Sequence, residues 1–238
     1  MIKFFRKIRY DLMEKNKTKK YLSYAFGEIV LVVIGILIAL SINNWNQKRI
    51  LKNDADTILF NIKYDLIQDM KFFKKISDLL SERGRIIDLG AKGNFENDTL
   101  LVKIGNLITV NYDSREFQKS MITLTNSGNI NLIDDQKLIA RIQDYYTNLC
   151  DRYNNHADYQ KEFNIQNIEG PLLHKLVLEP SGKNSVASLR KEIDSGNLIS
   201  IINWQNLFYK NLNVIVQDCI NEASEIQLLI GEYEKTKG

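Results

Sequence analysis

The apolar positions of this chain change their period at two places. From Tyr21 to Ile42 the sequence YLSYAFGEIVLVVIGILIALSI is continuously apolar or small except for Glu28. At a helical rise of ~1.5 Å per residue the run covers ~33 Å, against ~30 Å of bilayer hydrocarbon, which is the length of a membrane span. Before it, Met1, Phe5, Ile8 and Leu12 recur at helical spacing among basic residues. Residues 1–20 are therefore expected as a basic amphipathic tail, either a helix lying on an anionic lipid surface or an irregular segment that only sets topology.

After the span the pattern becomes amphipathic. No Gly or Pro occurs from Asn43 to Arg83, and Ile58, Ile62, Leu66, Met70, Phe73, Ile76 and Leu80 form one stripe, predicting a helix that ends near Gly84 or Gly90. Either the span continues rigidly into this helix, or Asn43, Asn44 and Asn46 form a joint. Asp98 is expected to cap a helix through about Thr109. Asp113 and Glu116 have capping-box spacing for another through about Asn126, closed by Gly128. In the SGNINLI run that comes next, Ile130, Leu132 and Ile133 are expected to tuck into the core, with Asp134 or Asp135 capping the next helix. Anion cradling by the Ser-Gly-Asn amides is the alternative to turn chemistry there.

The next predicted helix runs to about Phe163 with the stripe Leu138, Ile142, Tyr145, Leu149, Tyr153, His156, Tyr159 and Phe163. Gly170 to Asn197 holds both prolines, Pro171 and Pro180, and reads as a long connection with a helical turn from Pro171 to Leu178. The last helix carries the longest stripe, Ile201, Trp204, Phe208, Leu212, Ile215, Cys219, Ala223, Ile226, Ile230 and Tyr233, and should pack along the first helix beyond the span. The expected fold is all-α: an N-terminal transmembrane helix followed by an antiparallel helical bundle of long amphipathic helices, in three parts, 1–20, 21–42 and 43–238.

Composition supports helices, since 238 residues include only two Pro and twelve Gly. A mean hydropathy of −0.26 excludes a polytopic membrane protein. The net charge of +3 is a property of the tail, where eight Lys and Arg face only Asp11 and Glu14. The chain beyond the span is slightly acidic, so nucleic acid is not an expected partner. The same asymmetry places the N-terminus in the cytoplasm and the large domain across the membrane, with Trp45 as an interfacial anchor. A cleavable signal peptide ending at Ala39-Leu40-Ser41 is the competing reading; the long basic region and long apolar run favour an uncleaved anchor.

Inside the span, Ser23, Gly27, Gly35, Ala39 and Asn43 lie at multiples of four from one another. They form a small face, interrupted by Leu31, on which two spans could pack as a homodimer, or they reflect ordinary span composition. Glu28 is either an intramembrane polar site or a residue at the cytoplasmic edge.

Catalytic chemistry has little to work with. His156 and His174 are the only histidines and have no zinc-ligand spacing, and neither a nucleophile elbow nor a Walker loop is present. No metal, no cofactor and no enzyme activity are expected. Tyr145, Tyr153 and His156 either line a small-molecule pocket or pack their rings inward. Cys150 and Cys219 form either a disulfide or two buried thiols.

The run GEIVLVVIGILIALSINNWNQ from Gly27 to Gln47, the FFRKIR start, SGNINLI at Ser127 to Ile133, the next helix with Tyr145-Tyr146 and the long C-terminal helix resemble the family called domain of unknown function 6090. These are uncharacterised bacterial single-span membrane proteins. The resemblance implies a bacterial inner-membrane protein with a periplasmic helical domain, and brings no catalytic residue, cofactor or substrate. The expected role is a non-enzymatic interaction or scaffold protein, anchored in lipid, homodimeric and engaging a protein partner not identified by the sequence. The alternative is a periplasmic small-molecule sensor relaying through the membrane helix.

Overall fold

The computed structural model describes residues 18–117, 119–126, 129–172, 174–177, 179 and 183–237. The expected tail, up to residue 17, lies outside these residues, as do Ser127 and Gly128 of the expected turn and Pro180. Among the described residues the fold is all-α, without a strand. Contacts divide the chain into two units, Met1–Ala55 and Asp56–Gly238.

Helix α1, Thr18–Ala91, is helical through Asn43, Asn44 and Asn46 without interruption. In the first unit its large apolar side chains from Leu22 to Ile42 are all exposed. This segment reaches a mean hydropathy of 2.7 over eighteen residues with none of it buried, and among the described residues α1 is the one helix long and apolar enough to cross a membrane. The Arg49 guanidinium stands 5.5 Å from the Trp45 ring just beyond it.

In the second unit α1 buries two series with seven-residue spacing, Leu59, Leu66, Phe73, Leu80 and Ile87, and Ile62, Asp69 and Ile76, the second interrupted at the half-buried Arg83 and resumed at Gly90. This is a heptad seam, whose 3.5-residue period keeps one face toward its neighbours in a left-handed bundle. The expected stripe is corrected at two positions, because that phase buries Leu59 and Asp69 and leaves Ile58 and Met70 half-buried. At its end, Gly93 takes φ +82°, Asn94 N–H donates to the Leu89 carbonyl and Gly93 N–H to that of Gly90, which satisfies the last carbonyls in a Schellman closure.

Helix α2, Asp98–Leu107, is capped by Asn97, whose side chain accepts from Leu100 N–H; Asp98 is the first helical residue, not the expected cap. The expected capping box at Asp113 and Glu116 does not form. Residues 111–117 form no helix; there Asn154 takes the Arg115 N–H and the Asp113 carbonyl accepts from the Tyr153 hydroxyl. Helix α3, Lys119–Asn126, and a 3₁₀ turn, Asn129–Leu132, come next. Ile133 is fully buried, whereas Ile130 and Leu132 are half-buried.

Asp135 caps α4, Gln136–Asp144, by accepting from Lys137 and Leu138 N–H. A π turn, Tyr145–Cys150, joins α4 to α5, Asp151–Asn164. A second π turn, Ile165–Glu169, leads to the short α6, Gly170–Leu172. The expected connection contains a further helix, α7, Val186–Asp194. Its buried face is Ser188, Leu189 and Glu192, so it shows no apolar stripe.

Helix α8, Asn197–Lys237, buries Leu198, Gln205, Leu212, Cys219 and Ile226 at one heptad position and Ile202, Tyr209, Val216, Ala223 and Ile230 at another. Of the residues expected on its core stripe, Trp204 is exposed and lies outside that seam, and Tyr233, seven residues after Ile226, continues the first series but is half-buried. α8 runs antiparallel to α1. Lys63 pairs with Glu234 at 2.9 Å, Gln217 donates to Ser77 Oγ at 2.8 Å, and Lys210 pairs with Asp88 at 3.1 Å. It also runs antiparallel to α4 and α5, with Arg141 on Glu222 and Glu225, and Gln160 on Gln205.

Candidate functional site

The interior of the second unit holds polar side chains at positions where aliphatic ones are usual, and the first π turn arranges them. An α-helix that continued through Tyr145 would bury Leu149, His156, Tyr159 and Phe163. The π turn adds a residue to the ladder and advances the phase by one, so that Cys150, Ala157, Gln160 and Asn164 become buried instead. Leu149, His156 and Phe163 are left half-buried and Tyr159 exposed, which corrects the expected stripe beyond Tyr145 at those four positions, while Tyr153 is buried as expected.

Opposite this turn, Asp69 occupies a heptad position of α1 and is 3% exposed. Its closest cation, Arg115 Nη2, stands 3.7 Å from Oδ1, longer than a hydrogen bond. The Arg115 guanidinium lies over the rings of Phe72 at 5.1 Å and Phe117 at 5.5 Å. Its backbone is bracketed by Asn154, which accepts from Arg115 N–H and donates to the Arg115 carbonyl, both at 2.9 Å. Asp69 Oδ2 and the hydroxyls of Tyr145 and Tyr146 are buried without a hydrogen-bond partner among the described residues. Burial pushes the Asp69 carboxyl up to about 7, with Arg115 opposing the shift and Asp65 adding to it. Burial also raises both phenols, and the Asp69 charge adds to that. The cluster is suited to holding and releasing a proton near neutrality.

A second interior cluster is made of amides. Gln160 Nε2 donates to Gln205 Oε1 at 3.0 Å. Gln205 Nε2 donates to the Ile108 carbonyl at 2.9 Å and to Asn164 Oδ1, and Asn164 Nδ2 donates to Asn111 Oδ1 at 2.6 Å. It ties α5, α8 and the segment after α2 together.

The sequence-derived trio does not converge on one space. Tyr145 belongs to the Asp69 cluster. Tyr153 donates to the Asp113 carbonyl at 3.2 Å and sets its ring edge-on to Phe72 and Phe73. His156 Nε2–H donates to the Phe208 carbonyl at 3.1 Å, and burial lowers the pKa of its imidazole. Cys150 and Cys219 are both buried and both free. The Cys150 thiol faces Cys219, and burial pushes it up.

In the first unit, Ser23, Gly27, Gly35, Ala39 and Asn43 are all exposed, and a Cβ built on Gly27 or Gly35 meets nothing within 4 Å. Glu28 is half-buried and lines a shallow depression with Ala25, Ile29, Val32 and Val33. In the second unit the side of α1 away from the seam carries Phe60, Tyr64 and Ile67, spaced four and three apart and 68%, 57% and 42% exposed.

Sequence reasoning passes over Asp69, Arg115, Tyr146, Gln160, Asn164 and Gln205. Asp69 has a visible signal, since it lies three residues after Leu66 and four before Phe73, on the stripe itself. The amides have none, because the phase that buries them is created by the π turn.

The sequence model of a family described as a family of unknown function, DUF6090, matches residues 28–207. No curated protein and no solved structure matches the chain.

Proposed function

This chain belongs to the DUF6090 family, a family of unknown function, and from that premise we propose that it is a single-pass inner-membrane protein that works without catalysis, by self-association through one face of α1. The observation that carries this reading is the row Phe60, Tyr64 and Ile67, three large apolar side chains turned to solvent on one helix face. Such a patch on a soluble unit commonly marks an association surface. The open small face at Gly27 and Gly35 supports close approach of two copies within the apolar segment. The basic excess before that segment supports a cytoplasmic N-terminus and a periplasmic second unit. The absence of a nucleophile elbow, Walker loop or zinc-ligand spacing from the sequence supports a scaffold over an enzyme.

Disulfide crosslinking in native membranes tests the reading. Tyr64→Cys and Gly35→Cys are expected to crosslink to a second copy well above Lys71→Cys and Leu37→Cys. Equal yields at all four positions would overturn self-association through these faces.

A second reading, a periplasmic sensor that relays to a partner through α1, is favoured by the unpartnered Asp69 Oδ2 and tyrosine hydroxyls. A melting temperature that responds to a small polar solute in the wild type and not in Tyr146→Phe would support it over a purely structural scaffold.

A further inference from the structure

Between α5, the second π turn and the start of α8 the structure gathers aromatic rings that run from the buried Phe208 out to the surface. Phe163 and Trp204 lie 5.7 Å apart, Trp204 and Phe208 6.0 Å, and Tyr159 and Phe208 5.7 Å, so the rings form one continuous ladder. Trp204 is 48% exposed and Tyr159 57%. The exposure of Tyr159 follows from the phase shift at the first π turn, which turns Gln160 and Asn164 inward and Tyr159 outward and leaves Phe163 half-buried. Beside the ladder, the second π turn and α6 border a groove of about 330 Å³, with Phe163 and Trp204 as its apolar wall.

The polar part of the groove is held in place from beneath. Glu192 of α7 is 5% exposed, and its Oε2 accepts from Asn197 Nδ2 at 3.1 Å and lies 3.7 Å from Lys175 Nζ. A buried carboxylate thus fixes an amide and an ammonium at the rim and balances the ammonium's charge. Asn167 lines the groove and donates its amide hydrogen to the Phe163 carbonyl at 3.0 Å, which leaves its carboxamide oxygen as an acceptor. The Ser200 hydroxyl lines the same space and forms no side-chain hydrogen bond among the described residues.

We propose that this groove binds a neutral saccharide, with one pyranose ring stacked on Trp204 and Phe163 and its hydroxyls bonded to Asn167, Ser200 and Asn197. A pyranose has an apolar C–H face and a hydroxylated edge, which matches an aromatic wall beside a polar rim. The volume suits one or two rings, at the lower end of ordinary ligand sites. An anionic ligand fits less well because Lys175 is already compensated by Glu192. An aliphatic chain would leave the amide and hydroxyl unpaired. The inference is independent of self-association, which uses other residues on α1.

The two tryptophans of the chain, Trp45 and Trp204, make the test direct. Full-length protein carrying Trp45→Phe, in lipid nanodiscs, has Trp204 as its sole indole, and its emission is followed on titration with the N-acetylglucosamine tetramer and with cellotetraose. A saturable spectral shift with at least one of them is expected, its midpoint raised tenfold or more by Asn167→Ala and by Ser200→Ala while the melting temperature without saccharide stays put. No shift at millimolar saccharide, a midpoint indifferent to both substitutions, or a shift produced only by a Phe-rich tetrapeptide would each overturn the proposal.

Discussion

Asp69 puts a carboxyl where the α1 seam otherwise carries Leu, Ile and Phe, and this has a pH consequence with a definite sign. Its folded pKa of about 7 lies above the ordinary 3.8, so the folded chain binds the proton more tightly than the unfolded one. Its contribution to stability is therefore fully present below pH ~4, declines as pH rises to about 7 and is flat beyond; three pKa units correspond to roughly 4 kcal/mol at the upper limit. His156 acts oppositely. Its lowered pKa makes stability rise as pH passes the ordinary imidazole range. Asp88, held down to about 2 by hydrogen bonds from Lys92 and Lys210, matters only below pH ~4. Denaturation midpoints between pH 5 and 8 are expected to fall for the wild type and to rise slightly for Asp69→Asn, where only the histidine remains. A wild-type midpoint that does not fall across this range would refute the Asp69 assignment. Gly105 gives a second residue-level expectation, since a Cβ there would stand 2.7 Å from Leu189 Cδ2 and 3.0 Å from Cδ1. Gly105→Ala should cost about 1–3 kcal/mol of stability, as overpacking does. Leu189→Ala combined with it should cost less than the two single substitutions summed.

At the scale of elements the first π turn decides which residues meet. Deleting the exposed Asn148 should convert the turn to regular α-helix and return the residues after it to the phase that the apolar pattern predicts. Tyr159→Cys would then become protected from maleimide and Gln160→Cys reactive, the reverse of their order in the undeleted chain. A reactivity order unchanged by the deletion would show that tertiary packing, not the turn, sets the phase. The same turn marks where the fold stops being legible in the sequence. The helices are visible as 3.6-residue stripes, and α1, α4 and the long last helix can be placed from them because each has one stripe of apolar residues that runs its length. At Tyr145, Tyr146, Leu149 and Cys150 two adjacent faces are both apolar, so the pattern is compatible with either phase and spacing has nothing with which to choose. The other differences come from long-range partners. Asp113 and Glu116 satisfy the local capping rule, yet Asn154, remote in sequence, claims the backbone there. Helix α7 is hidden because its buried face includes a carboxylate, Glu192, whose partners Lys175 and Asn197 come from outside the helix.

For the whole molecule, the second unit has its own seam between α1 and α8, closed by the Lys63–Glu234 pair near one end and the Lys210–Asp88 pair near the other. Every described helix after α1 belongs to that unit, and so do the buried side chains from Leu59 to Ile230. A fragment of residues 56–238 is therefore expected to fold alone, with a helical circular dichroism spectrum and one cooperative melting transition. It keeps Phe60, Tyr64 and Ile67, so it also separates the two faces invoked for self-association. If the row on α1 suffices, sedimentation equilibrium of the fragment should show a concentration-dependent dimer that Tyr64→Glu converts to monomer without lowering the melting temperature, because Tyr64 is exposed and lies off the seam. If the fragment stays monomeric while the full chain crosslinks through Gly35→Cys, association belongs to the apolar segment, and the exposed row is left to a different protein. A fragment that dimerises equally well with Tyr64→Glu would place the contact on another surface of the bundle and remove the observation on which the proposed function rests.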